Sequence, residues 1–147
     1  MKLVTVNHIV DRLGLHIDEA IRYSVSALIT AGYKTDASCE GHPDDSHGLN
    51  YPWIDFQGIK SQELVIERLA QFYNDRPKAE DVYLILSDLS PAFEFCRLDS
   101  SIIYREPGYT SAICPSELKK LQLEEFNDFA RFCLKHPDNA QGIIKRI

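Results

Sequence analysis

The stretch Thr35-Asp36-Ala37-Ser38-Cys39-Glu40-Gly41-His42, followed by His47, has residue types and spacing suited to chemistry. Zinc prefers cysteine thiolate and neutral imidazole. Cys39-x-x-His42 brings one of each to a single point through a tight turn, which Gly41 permits. His47 closes back as a third metal ligand, with Asp44, Asp45 or Cys96 available as a fourth. Three protein ligands and a water make a Lewis-acid centre that activates the water, the arrangement of a hydrolase-like enzyme. Glu40 or Asp44 then handles protons. The same residues allow nucleophilic chemistry. His42 lowers the thiol pKa of Cys39, and Asp36, Glu40 or Asp44 orients the imidazole. The plain alternative is a polar loop with a half-buried cysteine and solvated histidines.

A second set lies just downstream. Tyr51, Trp53 and Asp55 alternate with Pro52, Ile54 and Phe56, so they share one face of a strand. Exposed, they form an aromatic platform with an acidic handle for a planar ligand or base. Buried beneath a helix they are core, the reading that burial statistics favour for Trp53. With Ser38 they make up the binding set. Arg97 and Asp99 reach the same region if their strand pairs with this one. Cys114 precedes Pro115, Ser116 and Glu117 and is placed to cap a helix whose N–H groups favour a thiolate. Cys96 and Cys133 fall on apolar faces and read as core. His8, His16 and His136 read as structural or solvated. The segment Tyr104-Arg105-Glu106-Pro107-Gly108-Tyr109 reads as a lid or an interface. No phosphate-loop, dinucleotide, zincin or nucleophile-elbow motif occurs in the sequence.

The elements that must position these residues follow from periodicity. A helix over Ile17–Ala31 carries Ile17, Ala20, Ile21, Val25, Leu28 and Ile29 at helical spacing, with Gly32 as its stop. Strands follow at Tyr33–Ser38 and Tyr51–Gln57, separated by a polar loop. A second helix starts near Ser61 as its cap, with Leu64, Val65, Leu69 and Phe72 as its stripe. Val82–Leu86 is a near-continuous apolar run and reads as a central strand. Phe93–Leu98 is another strand, and Ser101–Arg105 a further short one. A long helix runs from Pro115 to Lys135 and stops at Pro137. At the start, Leu3–Val6 allows a strand and Asn7–Leu13 a short helix. The order predicts two helix-strand-strand units in an α+β fold. Four or five mainly antiparallel strands form the sheet, helices pack on one face, and a long C-terminal helix is added.

The segment Gly32 to His42, with Tyr51-Pro52-Trp53-Ile54-Asp55-Phe56, resembles small bacterial and phage-type proteins in which a helix precedes T-x-x-S-C-x-G-H and an aromatic strand. That resemblance covers residues 17 to 57 and implies no particular activity. The strand ending in Ser38-Cys39-x-Gly41 before a basic residue also resembles the wybutosine-synthesis tRNA methyltransferase family. That likeness implies S-adenosylmethionine and a tRNA substrate, with His42 at the basic position.

Composition bounds these readings. The chain has 147 residues, 44% hydrophobic and 26% charged, which describes one globular domain over 1–147. The net charge of −6 argues against a whole-surface grip on nucleic acid. The start carries no signal-peptide pattern, and no apolar run is long enough to span a membrane. Four widely spaced cysteines then read as free thiols in a reducing cytoplasm. Two function classes are expected. One is an enzyme with a zinc or thiol site at the Cys39–His47 loop. The other is a binding module whose Tyr51–Trp53 face meets an unknown ligand, a partner or a second copy in a homo-oligomer.

Overall fold

The structure is a computed structural model, and it describes residues 17–41, 51–88 and 94–136. Leu3–Val6 and Asn7–Leu13, with His8 and His16, lie outside the described residues. In chain order the elements are α1 (Arg22–Thr30), β1 (Thr35–Cys39), β2 (Trp53–Gln57), α2 (Ile59–Phe72), β3 (Leu84–Asp88), β4 (Phe95–Ser100) and α3 (Pro115–Lys135). One 3-10 turn, Glu19–Ile21, leads into α1, and another, Ser101–Tyr104, follows β4.

The four strands form one antiparallel sheet in the order β1-β2-β4-β3. Each helix-strand-strand unit therefore makes its own pair, β1 with β2 and β3 with β4. The second strands of the two pairs meet antiparallel at the sheet centre. An approximate two-fold axis perpendicular to the sheet relates the units and leaves α1 and α2 on the same face.

Alternation in β2 sends Ile54 and Phe56 to the helices, where they meet Cys96, Leu98 and Leu84 of the neighbouring strands. Ile21, Val25 and Leu28 come from α1 and its lead-in turn. Val65 and Phe72 come from α2, and Phe126, Phe129, Ala130 and Cys133 from α3. These side chains close one core, and its burial is the main favourable term of folding.

The local stops are those the sequence announces. Gly32 (φ +98°) ends α1 in a Schellman motif: its N–H donates to Ile29 C=O, and Tyr33 N–H donates to Leu28 C=O, each at 3.0 Å. Pro115 opens α3 with Cys114 at its N-cap. Three readings are corrected. Gly58, at φ +91°, turns the chain from β2 straight into α2, so the helix starts at Ile59 and not at Ser61. The run Val82–Leu86 does not form a central strand. β3 is an edge strand, and Val82 instead joins a small cluster with Ile102 and Leu118. Leu84 and Leu86 of β3 pack into the helix-side core while Ile85 pairs with Asp99 on the open face, and Tyr73, the residue after α2, accepts Leu84 N–H through its hydroxyl at 2.7 Å. Finally, Ser101–Tyr104 is a 3-10 turn and not a strand.

Two buried charges belong to the frame. Glu125 on α3 accepts from Tyr73 (2.8 Å) and from Arg76, joining α3 to the end of α2. Arg68 on α2 donates to the backbone C=O of His136 (2.8 Å), past the end of α3. Among the described residues no helix is long and apolar enough to cross a membrane.

Candidate functional site

The predicted site residues fall in three places. Cys39 ends β1 opposite Trp53 and is buried. Its sulfur accepts Gly41 N–H at 3.3 Å, across a corner in which Gly41 has φ +92°. Glu40 N–H donates to the Asp18 carboxylate (3.1 Å), and Gly41 C=O accepts Lys119 Nζ (2.9 Å). The corner is thus latched to the segment before α1 and to the first turns of α3. Burial pushes the Cys39 thiol up, the Gly41 N–H opposes this, and the negative charges of Asp18 and Glu40 add to it. The thiol is held protonated at neutral pH. His42, Asp44, Asp45 and His47 lie outside the described residues. Among the described residues no three His, Cys, Asp or Glu side chains are grouped to hold a metal.

The second place is the sheet face away from the helices. β2 and β4 pair so that Trp53 faces Asp99 and Asp55 faces Arg97. Arg97 grips Asp55 with both ends of its fork, Nε–Oδ1 at 2.7 Å and Nη2–Oδ2 at 3.0 Å. The same guanidinium lies 4.0 Å from the Trp53 ring centroid. Trp53 is therefore half-buried under an arginine, not core beneath a helix, because alternation gives the helices Ile54 and Phe56. Ser38, opposite Ile54, belongs to the helix-covered face and does not join this group. Asp99, 3% exposed, accepts from Tyr104 Oη at 3.0 Å. Burial pushes its pKa up to about 6, against the pull of Tyr104 and Arg97 and with the repulsion of Asp55. The indole N–H of Trp53 is buried and has no hydrogen-bond partner among the described residues.

This geometry gives a signed prediction. A carboxyl whose native pKa lies above its unfolded value stabilises the fold when protonated, and that contribution is lost as pH rises from about 4 to about 6. Asp99→Asn removes the cost of ionisation and keeps an acceptor for Tyr104. The variant is expected to be about 1–3 kcal/mol more stable than wild type at pH 8, the upper figure being the rise in pKa from about 4 to about 6 converted in full, and equal to it at pH 4. Urea denaturation at the two pH values measures the difference. A variant less stable at pH 8 would show that Asp99 works as a needed anion.

The third place takes Tyr51, Cys114 and the Tyr104–Tyr109 segment from the sequence, whereas its central acid, Asp81, carries no sequence signal. Asp81 sits just before β3, 2% exposed, with the positive φ of +65°. Its carboxylate accepts from Arg105 Nε (3.0 Å), Tyr109 Oη (2.8 Å) and Ser111 Oγ (2.7 Å). Its own C=O accepts Gln122 Nε2 of α3 at 3.0 Å. Burial would raise its pKa, but the bonds from Ser111, Tyr109 and Arg105 outweigh this and hold it below the usual carboxylate range. Arg105 also stacks on Tyr109, 4.6 Å from the ring centroid. One buried anion thus folds the 105–111 segment into a fixed lip.

Between that lip and α3 lies a cleft of about 620 Å³. Tyr51, Ile102, Ile113 and Leu118 give it apolar walls, and Tyr109, Thr110, Ser111 and Ser116 supply hydroxyls. Lys119 completes the lining. Tyr51 is thus the predicted binding residue that reaches a concave surface, whereas Trp53 and Asp55 lie on the sheet face. The 3-10 turn joins the two places, with Ile102 in the cleft and Tyr104 on Asp99. Cys114 stands exposed beside the cleft at the α3 N-cap. The Glu117 N–H and the Ser116 hydroxyl lower its pKa. Burial raises Cys96 to about 11 and Cys133 to about 12, as core thiols should behave. Cys114 is therefore the thiol nearest to nucleophilic character among the four.

No protein-family model matches the chain, and neither does any curated protein sequence or solved structure.

Proposed function

We propose that this protein is a small-molecule-binding module whose site is the cleft between Tyr51, the 105–111 lip and the first turns of α3. One observation carries the reading: a cleft of about 620 Å³ whose rim is fixed by a buried carboxylate. Small-molecule sites have volumes of roughly 300–1,000 Å³ and combine mostly apolar walls with a few placed polar groups. The Asp81 bonds support a site formed before the ligand arrives, which reduces the ordering cost of binding. The positive φ at Asp81 fits the same reading, because backbone strain persists where the surroundings over-determine it and is common at ligand sites.

Ile113→Trp tests the proposal by filling the cleft from its wall. Wild type is expected to bind N-phenyl-1-naphthylamine, a neutral apolar fluorophore, with a rise in dye emission and an increase in Tm that grows with dye concentration. The tryptophan variant is expected to stay folded and to lose at least about tenfold in affinity, a loss typical of one bulky group in a pocket. Equal affinity in the two proteins would place the dye elsewhere and end the proposal.

A further inference from the structure

The charge lining the cleft says what kind of molecule it takes. Lys119 is the charged side chain among its described lining residues. The ammonium donates one hydrogen bond, to Gly41 C=O, and no carboxylate pairs with it among the described residues. A lysine carries three donors, so two remain for a ligand. Such a cation stands out in a chain of net charge −6. Of the nearby acids, Asp81 faces Arg105, Tyr109 and Ser111 and is fully engaged there, and Glu117, exposed in the first turn of α3, is not among the lining residues. Pro115 and Ser116 line the cleft at the start of the 21-residue α3, whose dipole adds positive potential at the same end, offset in part by Glu117 in that first turn. The other end is apolar, with Ile102, Ile113 and Tyr51.

We infer that the cleft takes a free organic monoanion with an apolar, ring-bearing body. Its anionic head meets Lys119, and its body lies against Ile113, Leu118 and Tyr51. This inference rests on the cleft being the binding site and adds the sign of the ligand's charge.

Two dyes with the same ring system separate the two claims. 8-Anilinonaphthalene-1-sulfonate carries one negative charge, and N-phenyl-1-naphthylamine is its neutral counterpart. Both are titrated into the full chain at low salt, pH 7.5, by fluorescence. Wild type is expected to bind the anion about tenfold tighter than the neutral dye, and the preference should shrink as salt is raised. Lys119→Gln should abolish the preference by weakening the anion about tenfold and the neutral dye far less, while Lys119→Arg restores it. Ile113→Trp should weaken both dyes. Circular dichroism and Tm confirm that each variant is folded.

Equal affinity of folded wild type for the two dyes, or an anion preference that survives Lys119→Gln, overturns the charge inference and leaves the cleft standing. Failure of both dyes to bind, or binding unaffected by Ile113→Trp, overturns the cleft reading and the inference together.

Discussion

Replacing Arg97 by methionine is expected to destabilise the protein by about 3 kcal/mol at pH 8, or roughly 10 °C in Tm. The loss comes less from the ion pair than from what its removal leaves behind. Asp55 and Asp99 are 7% and 3% exposed, and in wild type the Arg97 guanidinium is bonded to Asp55 and its charge lowers the pKa of Asp99. Breaking a buried pair from one side strands an uncompensated charge, which costs more than the pair contributes. Methionine keeps apolar contact with Trp53, so the packing loss is small. The pH dependence identifies the mechanism. Without Arg97 the native pKa of Asp99 rises further above about 6, because Arg97 is one of the groups that lower it. The variant therefore takes up protons on folding, and its deficit should narrow as pH falls from 8 to 5. Arg97→Lys should recover little, since a point ammonium provides neither the two-pronged grip on Asp55 nor a planar face for Trp53. Asp55→Asn combined with Arg97→Met should lose less than the two single changes summed. Denaturant melts at pH 5 and pH 8 measure all of this. A loss below about 1 kcal/mol, or one that does not change with pH, would show that solvent reaches these carboxylates freely.

The same cluster shows how far the sequence could be read. The alternation of Trp53 and Asp55 with Ile54 and Phe56 is local, so their common face was legible. That Arg97 and Asp99 would join them required only that β2 and β4 pair, which they do at the sheet centre. The order of helix-strand-strand units was legible for the same reason, and the ends of α3 were punctuated by prolines. The errors have physical causes. A continuous apolar run measures how much of a strand is covered, not where it sits in the sheet, so β3 was misplaced at the centre. Gly58 started α2 early through a positive φ that no cap residue announces.

The cleft was illegible in a deeper sense. The partners of Asp81 lie 24, 28 and 30 residues further on, and an acidic residue before an apolar run reads like any other turn. The state of Cys39 was equally hidden, because Asp18, which helps hold its thiol protonated, stands before α1. The Cys-x-x-His spacing is a local pattern. It gives no information on which charges the fold brings to the sulfur.

Asp81→Ala is expected to have the largest effect on binding. It removes the acceptor of three side-chain bonds and leaves alanine at φ +65°, where a β-carbon costs about 1 kcal/mol without help from a short polar side chain. Bonds to a charged group contribute about 1.5–3 kcal/mol each when buried, but Arg105 and Tyr109 are exposed and regain water. A net loss of about 2–4 kcal/mol follows. The effect on the cleft should exceed the effect on the core, because the carboxylate fastens the lip and not the sheet. Affinity for N-phenyl-1-naphthylamine should fall by at least about tenfold at temperatures where far-UV circular dichroism shows the sheet intact. Asp81→Asn separates charge from shape. It tolerates the positive φ and keeps one acceptor, so its loss should be about half that of alanine at pH 7. The native pKa of Asp81 lies below its unfolded value, so the wild-type advantage over asparagine is present above about pH 4 and disappears as pH falls through the native pKa. Urea melts of the two variants from pH 3 to pH 7, alongside dye titrations, test both halves. If Asp81→Ala keeps full dye affinity while losing stability, the lip is part of the scaffold and the cleft binds without it.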